Sequence, residues 1–141
     1  MNYLFFLFAI LAGVFTTIEA SINAQLGKYI TPGVATLHSL IVGVVFMLVL
    51  TLMDGSITHY TKVVTVKPLW LIGGVFGALI IYLSSISIPE IGISNTLILI
   101  LTGQLVSGLI IDAVISNVEI GMKKMVGMVL FLVGTILFLR E

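Results

Sequence analysis

Five apolar runs take up nearly the whole chain, and they limit what it can fold into. They cover about residues 4–26, 34–53, 69–88, 91–113 and 124–139. A membrane-spanning helix needs roughly 17–25 such residues. The last run is slightly short, unless Met122 and the lysines beside it reach out to the interface. Sixty per cent of the residues are hydrophobic and only 9% are charged, where a soluble domain carries about 25% charged residues. The reading is an all-α integral membrane protein, one domain over residues 1–141, with five transmembrane helices. The first run is read as a retained span, because Met1-Asn2-Tyr3 lacks the positive start of a signal peptide.

The breaks between runs carry loop residues. Gly27 to Gly33 separates the first two, and Asp54-Gly55 opens a gap that ends at Lys67-Pro68. Pro89-Glu90-Ile91-Gly92 predicts a tight hairpin, and Ser116 to Lys124 forms the last loop. None of these gaps holds a soluble domain, so function is expected within the bilayer. Six basic residues balance six acidic ones, which leaves no field for nucleic acid. There is no cysteine, so disulfides and thiolate metal sites are excluded. No His-Glu-x-x-His, nucleophile elbow or phosphate-binding glycine loop is present, so neither enzyme activity nor a cofactor is expected.

An odd number of spans puts the termini on opposite sides. On the N-terminal side, here side A, fall Lys62, Lys67, Lys123 and Lys124; Lys28 and Arg140 fall on side B. Four against two favours a cytoplasmic side A only weakly, which permits insertion in both orientations. Tyr3, Tyr60 and Trp70 near A and Tyr29 near B suit the aromatic belts of the two interfaces.

The first run contains a carboxylate, Glu19. At membrane depth a carboxylate costs about 3 kcal/mol or more, so it needs a partner, a wet cavity or a proton, and it marks a candidate site. At 1.5 Å of rise per residue, Glu19 lies about 10 Å in from side B and Asn23 about 5 Å. By the same measure His38 is about 6 Å deep, Tyr82 about 9 Å with Ser84 and Ser85 beyond it, and Asn95 and Thr96 about 6–8 Å. Four spans thus place polar groups in one layer, while Gln104 lies nearer the midplane. Ala12, Thr16, Glu19 and Asn23 share one helix face at i, i+4, i+7 and i+11. Glu19, Asn23, Gln104, Asn95, Tyr82 and His38 are the candidate substrate- or proton-binding residues, with Tyr82 or His38 expected to orient Glu19. A structural reading stands beside this one: a neutral Glu19 packed dry, with Asn23 and Gln104 joining helices. No metal site is expected, because Asp112 falls near side A and Glu19 and His38 near side B. Asp112 either reaches the side A headgroups from the last turn of its span or, because it opposes the dipole of its own helix end, has a further reason to be there. Gly73 and Gly77 form GxxxG, and Gly103, Gly127 and Gly134 lie on small-residue faces; close helix packing is their expected role.

These residues together resemble a family. Glu19-Ala20-Ser21-Ile22-Asn23-Ala24-Gln25-Leu26 is similar to the first-span motif of the small five-span YdcZ proteins of the drug/metabolite transporter superfamily. Ser39 and Gly43, Gly73-Gly74 with Gly77, Pro89 and Gly92, Gly103-Gln104 with Asp112, and Gly127 with Gly134 follow in the family's order. The family usually carries a glutamine where this chain has Glu19, so the site looks shared while the titratable group is this chain's variation. The four-span small multidrug resistance proteins place an essential Glu in their first span, and the position of Glu19 resembles that arrangement.

The resemblance implies half of a 5+5 inverted-repeat transporter, paired with an inverted copy of itself or of a paralogue in a prokaryotic inner membrane. The expected function is export of a small polar or cationic metabolite or drug through a central cavity, with Glu19 exchanging a proton for the substrate. The alternative is a non-transporting assembly or scaffold subunit. A passive pore is disfavoured by the lack of a charged ring.

Overall fold

The computed structural model describes residues 3–115 and 119–140. Met1 and Asn2, and Ser116 to Val118 of the last expected loop, lie outside the described residues. The described chain is helical, with no strand among those residues. Its elements are α1 (Tyr3–Tyr29), α2 (Pro32–Met53), a 3-10 helix (Ser56–Thr65), a 3-10 turn (Pro68–Ile72), α3 (Gly73–Ile91), α4 (Ile93–Val114) and α5 (Met122–Phe138). Four stretches are long and apolar enough to cross a membrane: Tyr3–Tyr29, Pro32–Met53, Pro68–Ile91 and Ile93–Val114. At 17 residues, α5 is shorter than these.

Two boundaries differ from the sequence expectation. The gap after Asp54 is not an open loop: Gly55, at φ 75°, starts a 3-10 helix that runs to Thr65. The segment contains neither Gly nor Pro to break it. The Pro89–Gly92 hairpin is shorter than expected, because α3 continues through Pro89 to Ile91. A proline this close to a helix end forfeits one backbone hydrogen bond and leaves the last turn intact. The break falls on Gly92 alone, at φ 83° and ψ 160°, a conformation open to glycine and strained for other residues.

The chain forms two compact units, residues 1–90 and 91–141. In the first, α1 and α2 make a helical hairpin. Thr31 caps α2 by accepting from the Val34 N–H at 3.2 Å, and Pro32 takes the first helical position, where its missing N–H costs nothing. Gly27 lies against the start of α2: a Cβ there would stand 3.4 Å from Pro32 Cα, in ordinary van der Waals contact. The 3-10 helix borders α2 along a cleft of about 470 Å³ lined by Val44, Met47, Thr51, Ile57 and Tyr60. In the second unit, α4 and α5 run antiparallel. Thr102 meets Thr135 at 3.4 Å near one end, and Asp112 meets Lys124 at 3.7 Å near the other.

Burial is inverted relative to a protein folded in water. The fully buried apolar residues are Ala20, Ala24, Ala35 and Ile88, all but one of them alanine. Phe5, Phe15, Val44, Phe46 and Leu130 are each more than 60% exposed. In lipid, large apolar side chains face outward without penalty, and small residues let helices approach. Hydroxyls inside the helices satisfy themselves on the preceding turn. Thr16, Thr36, Ser84, Ser85, Thr96 and Ser107 each donate to the carbonyl four residues back.

Candidate functional site

Ser39 differs from those hydroxyls by pairing with two side chains of the neighbouring helix, and it defines the site. It lies two turns into α2, and the tight α1–α2 turn sets it opposite Glu19 and Asn23. The Asn23 side-chain amide donates to Ser39 Oγ at 3.2 Å, and the Ser39 hydroxyl donates to Glu19 Oε1 at 3.3 Å. The three side chains form a directed relay across the hairpin: amide, hydroxyl, carboxylate. Asn23 is 3% exposed, while Glu19 is exposed. The relay therefore has a buried amide end and an open carboxyl end. Among the described residues no cation lies within ion-pair distance of Glu19. A carboxylate whose donor is a neutral hydroxyl keeps most of its acceptor capacity for another group.

Ser39 takes the orienting role expected of Tyr82 or His38. Tyr82 instead sits over the first turn of α2, where a Cβ on Gly33 would lie 3.9 Å from its ring, and it is 40% exposed. His38 is exposed on α2, one residue before Ser39. Asn95 and Gln104 belong to the second unit: Asn95 is half-buried in the first turn of α4, and Gln104 is exposed midway along it.

Gln104 also lines a cleft of about 440 Å³ between α4 and α5, with Gly108, Asp112, Lys124, Gly127 and Phe131. Asp112 has found its partner here in Lys124, with both side chains about half exposed. Each charge opposes the dipole of its own helix, Asp112 at a C-terminus and Lys124 at an N-terminus. Because the helices are antiparallel, each sits beside the favourable end of its neighbour. The pair compensates across the hairpin what neither helix compensates alone.

The glycines expected to pack helices have open space beside them among the described residues. A Cβ at Gly73, Gly77, Gly103, Gly127 or Gly134 would meet no atom within 4 Å. The close approach within the first unit falls at Gly27, in the turn.

The signal for Ser39 was available only in part. Its place in the family-like order was visible, but its role depends on the register across the hairpin. Searches of curated proteins and of solved structures each return no match. A family model does match, over residues 4–137, with the description "Putative inner membrane exporter, YdcZ". The match takes in both units and every candidate residue named above, and with it the chain belongs to the YdcZ family of inner membrane exporters.

Proposed function

We propose that this exporter is a small proton-coupled secondary transporter in which Glu19 is the coupling carboxylate, working as an antiparallel pair of copies. The observation that carries the reading is the open end of the relay: an exposed carboxylate in an apolar span, held by Ser39 and lacking a cation among the described residues. Lipid cannot solvate such a group, so a wet cavity or a second protein surface must cover it. An inverted second copy, of this chain or a paralogue, supplies that cover and brings two Glu19 side chains to one central cavity. In this reading α5 is the fifth span, at the short limit of about 17 residues, and each copy is half of a 5+5 inverted repeat.

The substrate is a small polar or cationic metabolite or drug. Its cationic or donor group and a proton compete for Glu19, which ties the movement of one to the release of the other. The relay gives this exchange a local readout. A charged Glu19 accepts from Ser39, and Ser39 accepts from Asn23. A protonated Glu19 that donates to Ser39 would turn the hydroxyl around, leaving it free to donate to an Asn23 that presents its carbonyl oxygen. Asn23 can do so by rotating its amide, so the buried end of the relay responds to the state of the open end.

The test is transport in proteoliposomes under an imposed proton gradient, with the native chain and Glu19→Gln. Gradient-driven efflux should vanish in the variant while the oligomer stays intact. Equal efflux from both would remove Glu19 from the coupling step.

A further inference from the structure

The α4–α5 cleft has a composition that the transport reading does not use. Its mouth carries one anion and one cation, Asp112 and Lys124, 3.7 Å apart. That separation is an ion pair without a close hydrogen bond, since charge-assisted N–H···O bonds are about 2.7–2.9 Å. Asp112 therefore keeps carboxylate lone pairs, and Lys124 keeps ammonium donors, for a third group. Both side chains sit in the terminal turns of their helices, and both are about half exposed. That is the depth of lipid headgroups if α4 spans the bilayer.

Behind the charged mouth the walls are apolar: Leu105, Leu109, Met128 and Phe131. Gly108 and Gly127 face the cleft with no atom within 4 Å of where a Cβ would stand, so their missing side chains hold it open. The cleft reaches Gln104, eight residues before Asp112 and about 12 Å deeper at 1.5 Å per residue. A soluble zwitterion would match the mouth and leave this apolar length empty. A hydrocarbon ligand would match the length and leave the two charges unused.

We infer that the α4–α5 cleft is a binding site for a zwitterionic phospholipid with a primary ammonium headgroup. The ammonium sits at Asp112, the phosphate at Lys124, and an acyl chain lies along Gly108 and Gly127 toward Gln104. A primary ammonium donates hydrogen bonds to a carboxylate, and a quaternary one cannot, so phosphatidylethanolamine is preferred over phosphatidylcholine. Phosphatidylglycerol offers the phosphate without the cation and binds through Lys124 alone. The site lies in the second unit and does not depend on the role of Glu19.

Native mass spectrometry of the purified full-length protein tests this, using the three lipids with identical acyl chains at equal concentration. Phosphatidylethanolamine should be retained about tenfold over each of the others, the factor expected for one charge-assisted hydrogen bond. Asp112→Asn should erase its advantage over phosphatidylglycerol. Lys124→Gln should weaken all three. Gly127→Leu fills the cleft with both charges intact and should also weaken all three; the open space at Gly127 lets this variant fold, which its helical circular dichroism would verify. Equal retention of the three lipids by the native chain would overturn the site. So would a preference that survives Asp112→Asn, or equal binding of acyl-free phosphoethanolamine, which would point to a soluble zwitterion.

Discussion

The two helical hairpins handle a carboxylate in opposite ways. In α1–α2, Glu19 meets a neutral hydroxyl backed by a buried amide, and its outer face stays open. In α4–α5, Asp112 meets a lysine that balances its charge in the terminal turns of the two helices. The difference follows from depth. Near a helix end, water and headgroups tolerate two half-exposed charges, and an ion pair there is a modest strap. Deep in a span, a fixed counter-ion would hold the carboxylate in one state, whereas a hydroxyl can serve either state. The unbalanced acid is the one suited to exchange, and the balanced acid is the one suited to position.

The largest effect that could break this comparison is at Glu19 itself. Glu19→Gln should abolish gradient-driven efflux, while Asp112→Asn should not; loss of coupling in Asp112→Asn alone would exchange the roles of the two hairpins. Next, Ser39→Ala should lower efflux about tenfold, in line with losing one hydrogen bond to a charged group. Ser39→Thr, which keeps the hydroxyl, should recover most of it. A third comparison sets two glycines against each other. Gly27→Leu crowds the Pro32 backbone and should cost about 1–3 kcal/mol of stability. Gly127→Leu enters open space and should leave the melting temperature nearly unchanged.

A smaller effect is expected from Lys124→Gln. Exposed ion pairs are worth about 0.2–1 kcal/mol, so its melting temperature should fall by no more than a few degrees. Smallest is a pH effect outside the spans. The Ser56 hydroxyl and then the Ser56 backbone N–H, which meets Asp54 Oδ1 at 2.8 Å, hold the Asp54 carboxyl below its ordinary 3.8. A lowered acid stabilises the fold above its ordinary value, and the contribution is lost as pH falls through the lowered one. Hydrogen exchange at the Ser56 amide should therefore stay slow through mildly acidic pH and quicken only in strong acid. Quickening already above 3.8 would contradict this contact.

Four of the spans were legible because a long, mainly apolar run needs no register to be recognised. The start of α2 was legible too, from Thr31-Pro32 as cap and first turn. Pro89 misled because proline reads as a stop, although near a C-terminus it removes a single hydrogen bond. Glu19 and Asn23 were legible from their shared face on α1. Ser39 was not, because a serine in an apolar helix ordinarily donates to its own backbone, as Ser84, Ser85 and Ser107 do. Only the hairpin register, which sets Ser39 opposite Glu19 and Asn23, tells it apart from those three. For the packing glycines the sequence is silent on a related point: small-xxx-small patterns record where another surface can come close, and they do not say which one.

The α1–α2 turn spans a very short connection, from Tyr29 to Pro32. All three relay residues therefore lie between positions 19 and 39, and their contacts are local in the chain. Local contacts form early and fast. During synthesis the carboxylate can find its hydroxyl once the first two helices have entered the bilayer, before α4 and α5 follow. The costliest group in the first helix thus gains its first hydrogen bond from its immediate neighbour, ahead of whatever later covers its open face.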